Sequence, residues 1–206
     1  GEGRMSIIGY KGSKKNTAKT ALFRPFRPLI IQFKKSSGLR SLKSIDENQA
    51  LARQIPDLAG KALFCGFYIN ELVCRLCKAD EDYPELYPLY VYALKQLAND
   101  SGSQSIEWVL RQFEHRLISM LGYGISFSHE CENGIAIAEG ANYELRADKG
   151  FVLSSPKPNS ILGADILRLG RQLEHEFEET NTESLNDDAF EERKQTLRLA
   201  KAIMRQ

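Results

Sequence analysis

Apolar positions along this chain change their period once, near residue 47. Before that point they come in short runs: Arg4-Met5-Ser6-Ile7-Ile8-Gly9-Tyr10, then Leu29, Ile31 and Phe33 alternating with Ile30 and Gln32, then Leu39 to Ile45. β-Branched residues, a period near two and flanking turn residues predict a strand in each. Pro25 and Pro28 forbid a helix ahead of the second run. Lys11 to Thr20, built of Gly, Ser, Asn, Thr and Lys with one Ala, reads as a polar loop. Three strands around long loops point to part of a small β-barrel, although three alone cannot close one.

Past residue 47 the spacing becomes helical. Leu58, Ala62, Cys65, Ile69, Leu72 and Leu76 form one face, and Leu63, Phe64, Phe67 and Val73 make the other sides apolar, which predicts a helix central to a bundle. Leu86, Leu89, Tyr90, Ala93 and Leu97 mark a second helix, and Ile106, Leu110, Phe113, Leu117 and Met120 a third that starts near Ser105 and stops at Gly122-Tyr123-Gly124. Residues 125–154 alternate in short pieces between glycines and predict a small hairpin. After Pro156 and Pro158, Ile166, Leu169, Leu173 and Phe177 define another helix, and Phe190 to Arg205 the last. The expected architecture is α+β: an N-terminal β domain over 1–46, then a mainly helical domain over 47–206 with 125–154 as a small β/loop subdomain.

Charge sharpens this division. Residues 1–45 carry 11 Lys/Arg and one acid, net +10, whereas residues 46–206 carry 17 basic and 26 acidic side chains, net −9, within a total of +1. A basic segment of that density faces a polyanion more often than it forms an ordinary solvated surface. The cations are Arg4, Lys11, Lys14, Lys15, Lys19, Arg24, Arg27, Lys34, Lys35, Arg40 and Lys43, with Tyr10, Phe23, Phe26 and Phe33 among them. Neutralised phosphates release counterions and aromatic faces stack on unpaired bases, so the mixture suits single-stranded nucleic acid. Phe33, in phase with Leu29 and Ile31, fits the core better than a base-stacking role. A second charged stretch, Glu174 to Glu192, is acidic without Lys or Arg and reads as a solvated linker.

Catalytic and metal chemistry find little support. Gly9-Tyr10-Lys11-Gly12 has the form of a backbone-clamping G-x-x-G loop, but it follows a strand instead of joining helices, and its glycines are too close for a P-loop. Cys74-Arg75-Leu76-Cys77 is a single C-x-x-C within a helix, without a second pair to complete zinc; both thiols are expected in the core. His115, His129 and His175 stand in unrelated segments and are expected at the surface. No metal, cofactor or catalytic residue is therefore expected. No run reaches the 18 or so apolar residues of a membrane helix and the N-terminus lacks a signal-peptide layout, which places the chain in the cytoplasm, with no membrane partner.

Arg111 stands beside Leu110 and Phe113 on the third helix. It either snorkels to solvent or receives the carboxylate of an acidic peptide whose apolar end fills a neighbouring groove.

Four motifs in register give the chain a family likeness: Pro25-Phe26-Arg27-Pro28-Leu29, Gly66-Phe67-Tyr68-Ile69-Asn70-Glu71-Leu72, Leu110-Arg111-Gln112-Phe113-Glu114 and Leu121-Gly122-Tyr123-Gly124. With them the chain resembles the RecO family of bacterial DNA repair and recombination mediators from about residue 1 to 155. The resemblance implies an OB-fold at the N-terminus, partial here because about two further strands precede Arg4 in the family, and one or more helices beyond Gln206. It implies a protein without enzymatic turnover that binds single- and double-stranded DNA, anneals strands, works with RecR, helps load RecA onto DNA coated with single-stranded DNA-binding protein, and associates with the nucleoid. It also implies that Arg111 and Leu110, with Phe67 and Leu72, receive the acidic, Phe-ending tail of that coating protein. Other members carry a four-Cys zinc site near 125–154, where this chain has Cys131 alone. An RNA-binding OB-fold module using the same basic face is the second reading. An enzyme is the third, and it would need carboxylates clustered near the basic region, where only Asp46 and Glu47 stand.

Overall fold

Strand pairing in the first part of the chain follows its β-branched runs, as a computed structural model shows. The structure describes residues 4–9, 22–36, 39–55, 57–99, 103–146, 149–174, 196, 198–200 and 203. The chain divides into two units, Gly1–Ser101 and Gly102–Gln206. The change from strand to helix near residue 47 thus lies inside the first.

In the first unit β1 (Leu29–Ser36) and β2 (Leu39–Glu47) form an antiparallel hairpin whose register runs from Leu29 opposite Glu47 to Ser36 opposite Leu39. A shift between Gln32 and Phe33 leaves Lys43 without an opposite residue, as in a β-bulge. Of the strand expected from Arg4 to Tyr10, one parallel bridge is present, Ile8 with Ser41, made by Ile8 N–H to Arg40 O and Leu42 N–H to Ile8 O, both 2.8 Å. Among the described residues the strands form no closed barrel, because two strands and one bridge do not supply the continuous ladder that closure requires.

Among the described residues, three helices with defined ends follow the hairpin in this unit. The short α1 (Gln49–Ala52) is capped by the Asn48 side chain, which accepts from Leu51 N–H at 3.2 Å. α2 (Gly60–Leu76) follows, then α3 (Leu86–Ala98), which buries Leu86, Leu89, Ala93, Leu94 and Leu97 along one stripe. α2 is not enclosed as its apolar composition predicted. It buries Gly66 and Ile69, while Phe64 is 74% exposed. Tyr90 of α3 donates to Asn70 Oδ1 of α2 at 2.6 Å, and burial pushes its hydroxyl pKa up to about 12.

The second unit begins with α4 (Ser103–Met120). Gly122, at φ 85°, ends it: Tyr123 N–H reaches back to Ile118 O and Gly122 N–H to Ser119 O, both 3.0 Å, the double bond of a Schellman stop. β3 (Asn142–Arg146) lies between β4 (Gly150–Ser154) and β5 (Ile161–Leu162) in an antiparallel sheet, followed directly by α5 (Gly163–Glu174). Ile166, Leu169 and Leu173 of α5 join Phe127, Ile137, Tyr143, Phe151, Ala200 and Ile203 in the core. The first N–H groups of α5 are satisfied by the loop ahead of β3, Gly163 N–H to Ala141 O at 2.8 Å and Ala164 N–H to Glu139 O at 3.0 Å. Phe177 and the acidic residues 175–192 lie outside the described residues, as does most of the final helix; its described positions are helical and bury Thr196, Ala200 and Ile203.

His115 corrects the expectation of surface histidines. It is 7% exposed and packs edge-on against Phe127, ring centroids 5.3 Å apart. α4 buries Val109, Phe113 and Leu117 on one side, and it buries Glu114 and His115 as well, with His115 across the helix from Phe113, so the helix is covered around more than one face. His129 is exposed and His175 is not described.

Two outcomes follow from these packing arrangements. A Cβ on Gly170 would fall 2.4 Å from Phe127 Cβ. Gly170→Ala, which gains up to about 1 kcal/mol in helix propensity, is therefore expected to lose about 1–3 kcal/mol net through overpacking; a raised Tm would contradict this. Burial, with a smaller contribution from the Arg116 charge, lowers the His115 pKa to about 4 from 6.5. The unfolded chain then binds the extra proton first, so this stability is whole above pH 6.5 and is lost as pH falls toward 4. The loss should reach about 2 kcal/mol between pH 7 and pH 5, and His115→Gln should remove that part of the pH dependence of unfolding.

Candidate nucleic-acid interface

Alternation along the hairpin sorts its residues between two faces. Leu29, Ile31, Phe33, Arg40, Leu42, Ile45 and Glu47 share one, and Ile30, Gln32, Lys34, Ser41, Ser44 and Asp46 the other. Phe33, Arg40, Leu42, Ile45 and Glu47 are half-buried, whereas Ile30, Gln32, Lys34, Ser41 and Asp46 are exposed, so the first face is the inner one. Lys43, set off by the bulge, is exposed too.

The arginines of the basic segment do not all face solvent. Arg27 pairs with Glu47 at 2.9 Å and Asp57 at 3.3 Å, which ties the turn before β1 to the end of β2 and the approach to α2. Arg40 pairs with Asp80 at 2.6 Å and is only 16% exposed. Arg4 donates through Nε to Cys77 O at 3.2 Å. Arg24, Lys34 and Lys43 are exposed and have no ion pair among the described residues. Lys11, Lys14, Lys15 and Lys19 lie outside the described residues; Lys35 is described only as a strand residue. The acidic partners Glu47, Asp57 and Asp80 escape sequence reading because they stand 20, 30 and 40 positions from their arginines, where no local spacing announces a contact.

Phe26 anchors the turn between the two prolines. It adopts φ 63°, a costly conformation for a bulky residue, and sets its ring edge against Phe67 with centroids 5.2 Å apart. Gly66 makes room for it: a Cβ there would lie 2.9 Å from Phe26 Cζ and 2.8 Å from Leu58 Cδ1. Contact with α2 thus offsets the backbone strain.

The residues expected to receive a peptide tail are distributed over both units. In the first, Phe67 is 45% exposed and Leu72 half-buried on α2. In the second, Leu110 and Arg111 are half-buried on α4. Arg111 is engaged by the buried carboxylate of Glu114, and its Nε is buried without a hydrogen-bond partner. A peptide carboxylate at Arg111 would share the guanidinium with Glu114.

Among the described residues no three His, Cys, Asp or Glu side chains converge as a metal site. The cysteines are free, but only Cys77 is a buried core thiol; Cys65 is half-buried, and Cys74 and Cys131 are exposed, because Cys74 lies away from the buried Gly66–Ile69 side of α2. Burial raises the Cys77 thiol pKa, with Arg4 in partial opposition. Next to Cys131 a carboxylate organises the loop. Glu130 Oε1 accepts from Asn133 N–H at 2.6 Å and Ile135 N–H at 3.3 Å, and Oε2 from Glu132 N–H at 2.7 Å. Desolvation opposes its charge, yet these N–H groups outweigh it and lower its pKa. Cys131, next in sequence, contributes its backbone N–H to Phe151 O at 2.8 Å. The loop is thus closed by backbone donors on a carboxylate.

These features define an α+β protein with a basic hairpin of one polar outward face and a second unit built from a helix packed on a small antiparallel sheet. Comparison with known proteins places that class. The family described as Recombination protein O C terminal matches residues 58–200. The chain is 36% identical to DNA repair protein RecO of Actinobacillus succinogenes over 166 residues, 80% of this chain and 67% of that protein. It is 34% identical to DNA repair protein RecO of Pasteurella multocida over 84% of this chain and 70% of that protein, and 31% identical to that of Yersinia enterocolitica over 88% and 72%. The chain belongs to the RecO family.

Proposed function

We propose that this chain acts in DNA repair and recombination as a DNA-binding mediator without enzymatic turnover. The observation that carries the reading is the outward hairpin face, where Lys34 and the bulged Lys43 are exposed in a segment of net charge +10. Family membership supports DNA as the polyanion, since the relatives named above are DNA repair proteins. On this reading residues 1–46 are the portion of an OB-type barrel present in this chain, and 47–206 form the helical domain with the hairpin of 125–154. The basic segment binds single- and double-stranded DNA through phosphates, and neutralising two strands at once lowers their repulsion, a physical route to annealing. RecR as partner, help to RecA on coated DNA, and a place in the cytoplasm at the nucleoid complete the proposal. Among the described residues, no helix is long and apolar enough to cross a membrane.

Arg111 and Leu110 are proposed to receive the acidic, Phe-ending tail of single-stranded DNA-binding protein. The ion pair with Glu114 and the half-buried setting orient the guanidinium beside an apolar residue, which suits a terminal carboxylate.

Three measurements test these assignments. Reversal of Lys14, Lys15 and Lys19 to Glu should weaken single-stranded DNA binding and reduce the slope of log affinity against log salt by about 0.7 for each phosphate no longer neutralised; an unchanged slope would refute their role. Arg111→Ala should weaken binding of an acidic peptide ending in Phe by roughly tenfold or more while DNA affinity is retained, and equal peptide affinity would refute the tail site. Competition between DNA and RNA of one sequence should favour DNA; a preference for RNA would transfer the basic face to the RNA-binding reading.

A further inference from the structure

Asp80 comes four residues after α2 ends and adopts a left-handed backbone, φ 66°. Its N–H donates to Arg4 O at 2.9 Å and its carboxylate pairs with Arg40 of β2 at 2.6 Å. Arg4 donates back through Nε to Cys77 O, one residue past α2. From Arg4 the chain runs to Ile8, which bonds Arg40 O and Leu42 N–H on either side of Ser41. The contacts therefore form a closed ring: β2 to Asp80, Asp80 to Arg4, and Arg4 along the chain to Ile8 and back to β2.

We propose that Asp80 is a positioning residue that fixes the hairpin to the exit of α2 through Arg40 and Arg4, so that these two arginines hold the fold while phosphate contact falls to the outward Lys34 and Lys43. The assignment of Lys34 and Lys43 rests on the DNA-binding reading; the ring does not. Arg40 belongs to the inner face, is 16% exposed and has its Nε buried without a partner, so a phosphate would have to displace Asp80 to reach it. A cation that stays on an internal carboxylate neutralises no phosphate, so it displaces none of the cations condensed on the DNA and adds little to the salt dependence of binding. Lys34 and Lys43 are exposed and unpaired among the described residues, so each can neutralise a phosphate and displace a cation condensed on it.

The experiment uses the whole chain with an oligothymidylate as probe, and hydrogen exchange as a second reading. Lys34→Gln should lower the salt slope by about 0.7, whereas Arg40→Gln leaves it unchanged. Exchange at the N–H groups of Leu42 and of residue 80 should accelerate about fivefold in both Arg40→Gln and Asp80→Asn. A slope reduced as much by Arg40→Gln as by Lys34→Gln overturns the proposal. So does unchanged exchange in both single variants. If the wild-type chain shows no salt-dependent affinity, the DNA-binding reading fails, and the exchange measurements alone decide the ring.

Discussion

The hairpin obeys a period of two, and that constraint places charge on its inner side. Once Phe33 and Leu42 turn inward, Arg40 and Glu47 must turn inward with them. A half-buried guanidinium is stabilised by an acid beside it, because desolvating a charge is costly unless it is paired and hydrogen-bonded. Arg40 finds Asp80, and Glu47 finds Arg27, which also reaches Asp57. Both pairs link the hairpin to segments beside α2. The charge that looks like ligand-binding surplus in the sequence is in part the means by which the first unit is assembled.

The second unit depends on close approach instead. α5 presents Ile166, Leu169 and Leu173 to Phe127, Tyr143 and Phe151, and bare backbone at Gly170 lets Phe127 come near. The loop leading into this core is closed on the Glu130 carboxylate by three backbone donors. Such a centre asks nothing of Cys131 beyond its backbone, and the cysteine can stand exposed. His115, buried on α4, meets Phe127, so its charge state is coupled to the same packing.

The family likeness runs through both units. The family match covers residues 58–200, starting just before α2, while the relatives align over 80% or more of the chain. The basic hairpin lies ahead of the family match. Its outward polar face and inward salt bridges are therefore argued from this chain's own residues.

The sequence by itself determined the period change near residue 47, the helices around Ile69, Leu89, Phe113 and Leu169, the stop at Gly122, and the charge asymmetry. These are local facts: apolar spacing, turn residues and formal charge lie within a few positions of one another. The alternation in β1 was legible too, and with it the inward place of Phe33. The tertiary structure decided which cations are free. Arg40 and Lys34 look alike in the sequence, but they sit on opposite faces of one hairpin, and only the fold brings Asp80 to Arg40 across 40 positions. It likewise decided that His115 is buried, that Cys74 is exposed beside a buried Cys77, and that a carboxylate closes the loop at residue 130. Burial and ion pairing depend on what the chain folds against, a relation between distant residues that no local spacing encodes.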